Sequence, residues 1–282
     1  MDELNLNSGP SWCGSCPNYP FLTSFKEAIE KLHFFVKDFV CVMGVGNSAQ
    51  LSHYLDCNFI NVPPGQAFSA ATGIRMANHD LNVIVISGDG DLLSTGINSF
   101  IHSARKNINI TVLVQNNLVL CSSQGYPSPT TPVEFQNKFQ NCNLFEPVSI
   151  IKIALASGAS YVARGAVARS DHLEELIIKG IKHKGFSVIE IIQPCSQVFD
   201  FGTIMEITDQ FQNIDDENSE PDNLPKAYAI AVDKTRIPIG LFFRSIQSTF
   251  RSKFPLMIDD SLISQGISRK KLDAYFQKLL KP

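Results

Sequence analysis

The chain is short of charge. Only 18% of its 282 residues are Asp, Glu, Lys or Arg, and the formal net charge is −3. Without a basic excess there is nothing to track a phosphate backbone, so nucleic-acid binding is not expected. No apolar run reaches the ~18 to 20 residues that a bilayer crossing needs, so no membrane partner is expected either. The first residues, Met1-Asp2-Glu3-Leu4-Asn5, lack the basic and apolar segments of a secretory leader. No segment repeats along the chain. Cysteine, by contrast, is present seven times. Without a leader, that number points to a reducing cytoplasm, where paired cysteines bind metal, react or pack more often than they form disulfides.

What the chain does have is strand–helix alternation. Phe39–Met43, Asn58–Val62, Val83–Ile86, Ile110–Val114, Tyr161–Ala163 and Phe186–Ile192 are apolar, β-branched runs that read as buried strands. Between them lie helical patterns at Ala67–Asn78, Leu92–Arg105 and Ser149–Ser157, and one from Asp171 to Lys184 opened by a capping-box spacing, Asp171 to Glu174. This alternation implies an α/β fold with a doubly wound, mostly parallel sheet. The stretch from Leu118 to about Asn143 reads as a loop long enough to have a function or a partner. We place an α/β domain at 1–195. Residues 196–282 read as an irregular C-terminal extension packing on that domain or on another subunit. Within it Asp215-Asp216-Glu217 reads as a solvated acidic run, and Arg236–Phe243 is apolar but broken by Pro and Gly.

The chemistry concentrates at predicted strand ends. Ser87-Gly88-Asp89-Gly90-Asp91 closes one strand, and Asn116-Asn117 closes the next. Gly-Asp-Gly alone is a common turn. With an Asn amide at the neighbouring strand end it can hold magnesium, which takes a few hard oxygen ligands plus phosphates and water. The helix start behind Gly90 offers free N–H groups to a diphosphate. This spacing is the thiamine diphosphate signature.

Further pieces agree in order and spacing: Trp12-Cys13-Gly14-Ser15-Cys16, Gly44-Val45-Gly46, Ala71-Thr72-Gly73-Ile74, Ser128-Pro129-Thr130-Thr131, Gln193-Pro194-Cys195 and Arg236-Ile237-Pro238-Ile239-Gly240. On these the chain resembles the β-subunit of archaeal-type, two-subunit 2-oxoacid:ferredoxin oxidoreductases. The resemblance implies thiamine diphosphate-dependent oxidative decarboxylation of a 2-oxoacid such as pyruvate or 2-oxoglutarate. Electrons pass through an iron–sulfur cluster to ferredoxin, and an acyl-CoA forms from coenzyme A. It implies magnesium on Asp89, Asn117 and the backbone oxygen of Val119. It places Gly44, Gly46, Asn47, Ser48, Gly65, Gln66, Gly88, Gly90, Asp91, Leu120, Cys121, Ser122 and Ser123 around the cofactor. The carboxylate that activates the aminopyrimidine is expected from the α-subunit, so the chain alone should be inactive.

Three departures stand beside the match. The family holds a [4Fe-4S] cluster with four cysteines; Cys13, Cys16 and Cys195 match three, and Asn47 occupies the remaining position. A four-iron cluster with an unusual ligand, a three-iron cluster, or no cluster (with Cys13, Cys16 and Cys195 as remnants or holding zinc) are all open. Cys41, Cys57 and Cys142 read as packing residues, and Cys121, in the cofactor loop, reads either as facing the active site or as packing. Where the family has His-Gly-Arg-Ala, this chain has Pro64-Gly65-Gln66-Ala67, which removes an imidazole and a guanidinium. The loop after Asn117 lacks the family's Tyr-Gly pair. These changes keep two alternatives in view: a degenerate, non-catalytic or regulatory paralogue, and a non-oxidative thiamine diphosphate decarboxylase without a cluster.

Overall fold

The structure is a computed structural model that describes residues 12–136, 142–215, 220–254 and 261–265, with Asp273 and Gln277. Its centre is an eight-stranded sheet of β1 (Phe39–Met43), β2 (Asn58–Asn61), β3 (Asn82–Gly88), β4 (Ile110–Asn116), β7 (Tyr161–Ala166), β8 (Phe186–Ile192), β9 (Phe211–Asn213) and β10 (Ile237–Arg244). The order is β2-β1-β3-β4-β8-β7-β10-β9. All pairs are parallel except β10 with β7. Strands β4 and β8 are buried along their whole length, which is why they read as continuous apolar runs.

Helices cover both faces. On one, α2 (Ala67–Ala77), α4 (Ile97–Arg105), α5 (Ile150–Ala156) and α8 (Leu224–Val232) pack on Val42, Val85, Val112 and Val188. Phe68, Phe100 and Phe186 stack edge to face through this layer at 5.3 and 5.4 Å. On the other, α1 (Asn18–Lys31) and α6 (Ser170–Lys182) pack on Met43, Ile86, Leu113 and Ile189. Among the described residues, no helix is long and apolar enough to cross a membrane.

Several local expectations are corrected. The helix expected from Leu92 begins as a short α-turn, α3 (Asp89–Asp91), and a π-turn (Leu92–Gly96) before α4. The capping box at Asp171 does not form: α6 starts at Ser170 without a side-chain cap, and buried Glu174 pairs with Lys31 Nζ at 2.6 Å, tying α6 to α1. The long loop contains a small ribbon, β5 (Val119–Leu120) against β6 (Tyr126–Pro127). Asp215 is not simply solvated. Its carboxylate lies 2.8 Å from His172 Nε2 and accepts the Leu241 N–H at 2.8 Å; Asp216 and Glu217 lie outside the described residues. The helix α7 (Phe201–Asp209) lies on the outside with no buried residue.

Strand order reverses direction at β1. The chain goes from β1 to β2 on one side and then to β3 on the other. The C-terminal ends of β1 and β3 therefore flank a topological switch point, where open α/β sheets bind ligands.

Candidate functional site

Three turns meet at that switch point. The first, after β1, carries Gly46, whose φ of +84° is left-handed and suits glycine. The second, after β3, is Gly88-Asp89-Gly90. The third follows β4 and carries Asn117. A cleft open to solvent is lined by Gly46, Asn47, Ser48, Gly88, Asp89, Gly90, Asp91, Asn117, Val119, Leu120, Cys121 and Ser122, among others. Gly44, Gly65, Gln66 and Ser123 are not in its lining. Gly65 serves structure: its N–H donates to Asp91 Oδ1 at 2.8 Å, while Ser87 Oγ–H donates to Asp91 Oδ2 at 3.2 Å. The Asp91 carboxylate thus braces the turn.

Asp89 is buried, 1% exposed. Its Oδ2 receives the hydroxyls of Ser128 and Thr130 at 2.5 and 2.6 Å. Burial pushes the carboxyl up to about 6, against the pull of those hydroxyls and of the Asn117 backbone N–H. Among the described residues, no cationic side chain is among the causes of this shift. A carboxylate so placed favours either a proton or a bound cation.

The two asparagines after β4 divide their work. Asn116 Nδ2 donates to Glu190 Oε1 at 2.7 Å, and Glu190 Oε2 accepts from Arg164 Nε at 2.8 Å, a buried structural chain. The Asn117 Oδ1 accepts the Val119 N–H at 3.1 Å, which sets the turn that brings Val119 to the cleft. Gly90 faces Leu120, so a Cβ there would strike the Leu120 side chain.

Sequence reasoning missed two groups. Ser128 and Thr130 were part of a matching motif, but their role as the hydroxyl cage of Asp89 was not read. Gln115 and Gln193 also line the cleft. Gln115 is 2% exposed, and both of its side-chain polar atoms lack a partner among the described residues; so does Gln193 Oε1. Buried amides are normally satisfied, so these orphans point to a polar occupant. Together with the uncompensated Asp89, they make the cleft fit a diphosphate cofactor with a divalent ion.

Beside the cleft, Cys13, Cys16, Cys121 and Cys195 come together. Cys121 Sγ is 3.6 Å from Cys195 Sγ and accepts a hydrogen bond from Asn47 Nδ2 at 3.1 Å. Burial pushes the Cys16 thiol up to about 12, with Cys13 and Cys195 near enough to add to it. Cys195 is lowered to about 7 by the Cys121 hydrogen bond and the backbone N–H groups of Gln197 and Val198. Among the described residues, no three His, Cys, Asp or Glu side chains already stand in metal-binding geometry. Cys121, expected around the cofactor, lines the cleft and also belongs to the thiol group. Cys41 and Cys57 are buried as expected, whereas Cys142 is exposed because its loop lies on the surface.

Residues 40–191 match the family model described as the thiamine pyrophosphate enzyme, C-terminal TPP binding domain. The chain is 33% identical over 277 residues to the β-subunit of 2-oxoacid:ferredoxin oxidoreductase 1 of Aeropyrum pernix, covering 92% of this chain and 87% of the relative. It is 40% identical over 197 residues to the 2-oxoglutarate synthase subunit KorB of Archaeoglobus fulgidus, covering 69% and 73%. Its structure superposes with a TM-score of 0.88 and 25% identity on a 2-oxoglutarate:ferredoxin oxidoreductase chain from Magnetococcus marinus, solved with 2-oxoglutarate, coenzyme A and succinyl-CoA; this covers 100% of this chain and 96% of that one. With the diphosphate-type cleft at the sheet's switch point and this degree of likeness along the chain, the protein belongs to the β-subunit family of 2-oxoacid:ferredoxin oxidoreductases.

Proposed function

We propose that this chain is the cofactor-binding half of an enzyme that oxidatively decarboxylates a 2-oxoacid, reduces ferredoxin and forms an acyl-CoA, working with an α-subunit in the cytoplasm. The observation that carries the reading is buried Asp89, with no compensating cationic side chain among the described residues, sharing one cleft with Asn117 and Val119. The Asp89 carboxylate, the Asn117 amide and the Val119 carbonyl are the residues that would hold magnesium. The backbone at Gly46, Gly88 and Gly90 would receive the diphosphate, with α3 presenting its first N–H groups. Thiamine diphosphate, when bound, supplies the electron sink for decarboxylation. The protein's task is to fix that cofactor and exclude water.

Ser128 and Thr130 hold the Asp89 carboxylate in one orientation, so the metal-binding oxygen is set before the ion arrives. Asp91 fixes the turn relative to α2 through Gly65. The Gln115 and Gln193 amides are placed to bond an occupant of the cleft. With Pro64 and Gln66 in place of the family's His and Arg, substrate anion recognition falls to the α-subunit.

Anaerobic co-purification with the α-subunit tests this. Thiamine diphosphate and magnesium should be recovered with the complex, and a 2-oxoacid should drive CoA-dependent reduction of ferredoxin or a viologen dye. Bound cofactor without any electron transfer to an acceptor, across pyruvate, 2-oxoglutarate and branched 2-oxoacids, would overturn the oxidative reading.

A further inference from the structure

The family's third cluster cysteine is replaced here by Asn47, yet four thiols still converge. We propose that Cys121 supplies the fourth thiolate of an iron–sulfur cluster together with Cys13, Cys16 and Cys195, and that Asn47 has become an N–H donor to the Cys121 sulfur. This rests on the family reading, since the cluster itself comes from that reading.

Asn47 is held by its backbone. Its carbonyl accepts from Trp12 Nε1 at 3.0 Å and from Asn18 Nδ2 at 3.4 Å. That leaves its side-chain amide to reach Cys121 Sγ, where Nδ2 donates at 3.1 Å. An amide is a poor substitute for a thiolate on iron, but it can donate to one. Cys121 is brought in from a different turn, the one after Asn117, and its sulfur lies 3.6 Å from that of Cys195. This is well beyond the ~2.05 Å of a disulfide, so the pair is two thiols.

The placement is fixed from both sides. Cys195 N–H donates to the Asn117 carbonyl at 3.2 Å, which ties its segment to the Cys121 turn. Gly125, with φ of +82°, packs against Val198, so the far end of that turn presses on the same segment. Across from it, Cys16 N–H donates to the Cys13 carbonyl at 3.0 Å in the tight turn of the Cys-x-x-Cys segment. Trp12 stacks on Tyr54 at 4.2 Å and meets Tyr19 edge-on, and Val119, Phe199 and Phe135 close the other side. Four cysteine thiolates are the usual ligand set for a four-iron cluster. Cys41, within β1, pairs its thiol with that of Cys57, and neither enters.

The test uses the αβ complex purified without oxygen, with iron, sulfide, zinc and thiamine diphosphate measured and electron paramagnetic resonance recorded. Wild type should hold about four iron and four sulfide per β chain. Cys121→Ser should lose at least a quarter of its iron and change its resonance signal. Adding Asn47→Cys to Cys121→Ser should restore both, and Cys142→Ser should leave both untouched. Asn47→Ala should retain the iron and lower the cluster's midpoint potential, because it removes a donor to a sulfur. Cys121→Ser with wild-type iron and an unchanged signal overturns the proposal while bound thiamine diphosphate leaves the family reading intact. Zinc in place of iron, or a Cys121–Cys195 disulfide in the anaerobic protein, also overturns it. Absence of thiamine diphosphate in every variant would instead strike the proposed function.

Discussion

At the scale of single residues, Asp89 decides most. Its carboxyl sits at about 6 in the folded chain against an ordinary 3.8. The folded state therefore holds its proton more tightly than the unfolded state. Stability of the metal-free chain is fully present below the ordinary value and is lost as pH rises through about 6. The loss is about 3 kcal/mol at most, since each unit is ~1.4 kcal/mol. Asp89→Asn should flatten that slope in urea titrations at pH 4.5 and 7.5, leaving the metal-free protein no less stable at the higher pH. The same variant should weaken thiamine diphosphate binding in magnesium at least 100-fold by calorimetry. An equal loss of stability at both pH values would show that the carboxylate is not the strained group. Much of this site was legible in sequence, because Gly88-Asp89-Gly90 and Asn117 occupy strand ends where the pattern of apolar runs places them. The hydroxyl cage was not, since Ser128 and Thr130 arrive from the far end of a loop and no spacing rule reports such a return. Nor was the division of labour between Asn116 and Asn117, which depends on Glu190 lying across β4.

At the scale of elements, the buried parallel strands announced themselves and β10 did not. Pro238 and Gly240 interrupt its pattern, and its pairing with β7 shifts register between Leu241 and Phe243. Gly240 has φ of +129°, and a Cβ there would lie 2.6 Å from Asp215 Oδ1. The glycine that obscures the strand is thus what lets Asp215 reach the Leu241 N–H. Burial raises the Asp215 carboxyl, but the hydrogen bonds from His172 and Leu241 outweigh it and hold it below its ordinary value. A depressed carboxyl contributes stability above its unfolded value of about 3.8 and loses it as pH falls below that. Asp215→Asn should cost about 1–2 kcal/mol near neutrality, and should speed hydrogen exchange at Leu241 more than at Val112 in β4. Uniform acceleration across both strands would mean that Asp215 does not anchor this edge specifically. Glu174 gives a parallel lesson. Its spacing from Asp171 fits a local cap, but Lys31 of α1 captures it, a contact that local pattern cannot anticipate.

At the scale of the whole molecule, a β-subunit must present a face to an α-subunit. Leu144 and Phe145 are 75% and 79% exposed, large apolar side chains next to the cofactor loop. They are displayed rigidly rather than on a loose tip. Asn143 Nδ2 bonds the Thr131 and Phe145 carbonyls at 2.6 and 2.8 Å, and Val148 N–H donates to the Pro129 carbonyl at 2.8 Å. The segment is thereby braced against the Ser128–Thr131 cage around Asp89. A pre-ordered apolar pair loses little entropy on docking, and burying each side chain is worth ~1.5–3 kcal/mol. Replacing both residues by Asp should therefore weaken assembly with the α-subunit at least 100-fold in analytical ultracentrifugation. The isolated β-subunit should keep its wild-type melting temperature, because neither side chain is part of its core. Assembly at wild-type affinity would move the interface elsewhere on the surface, with the exposed Phe201 of α7 as the next apolar residue to change.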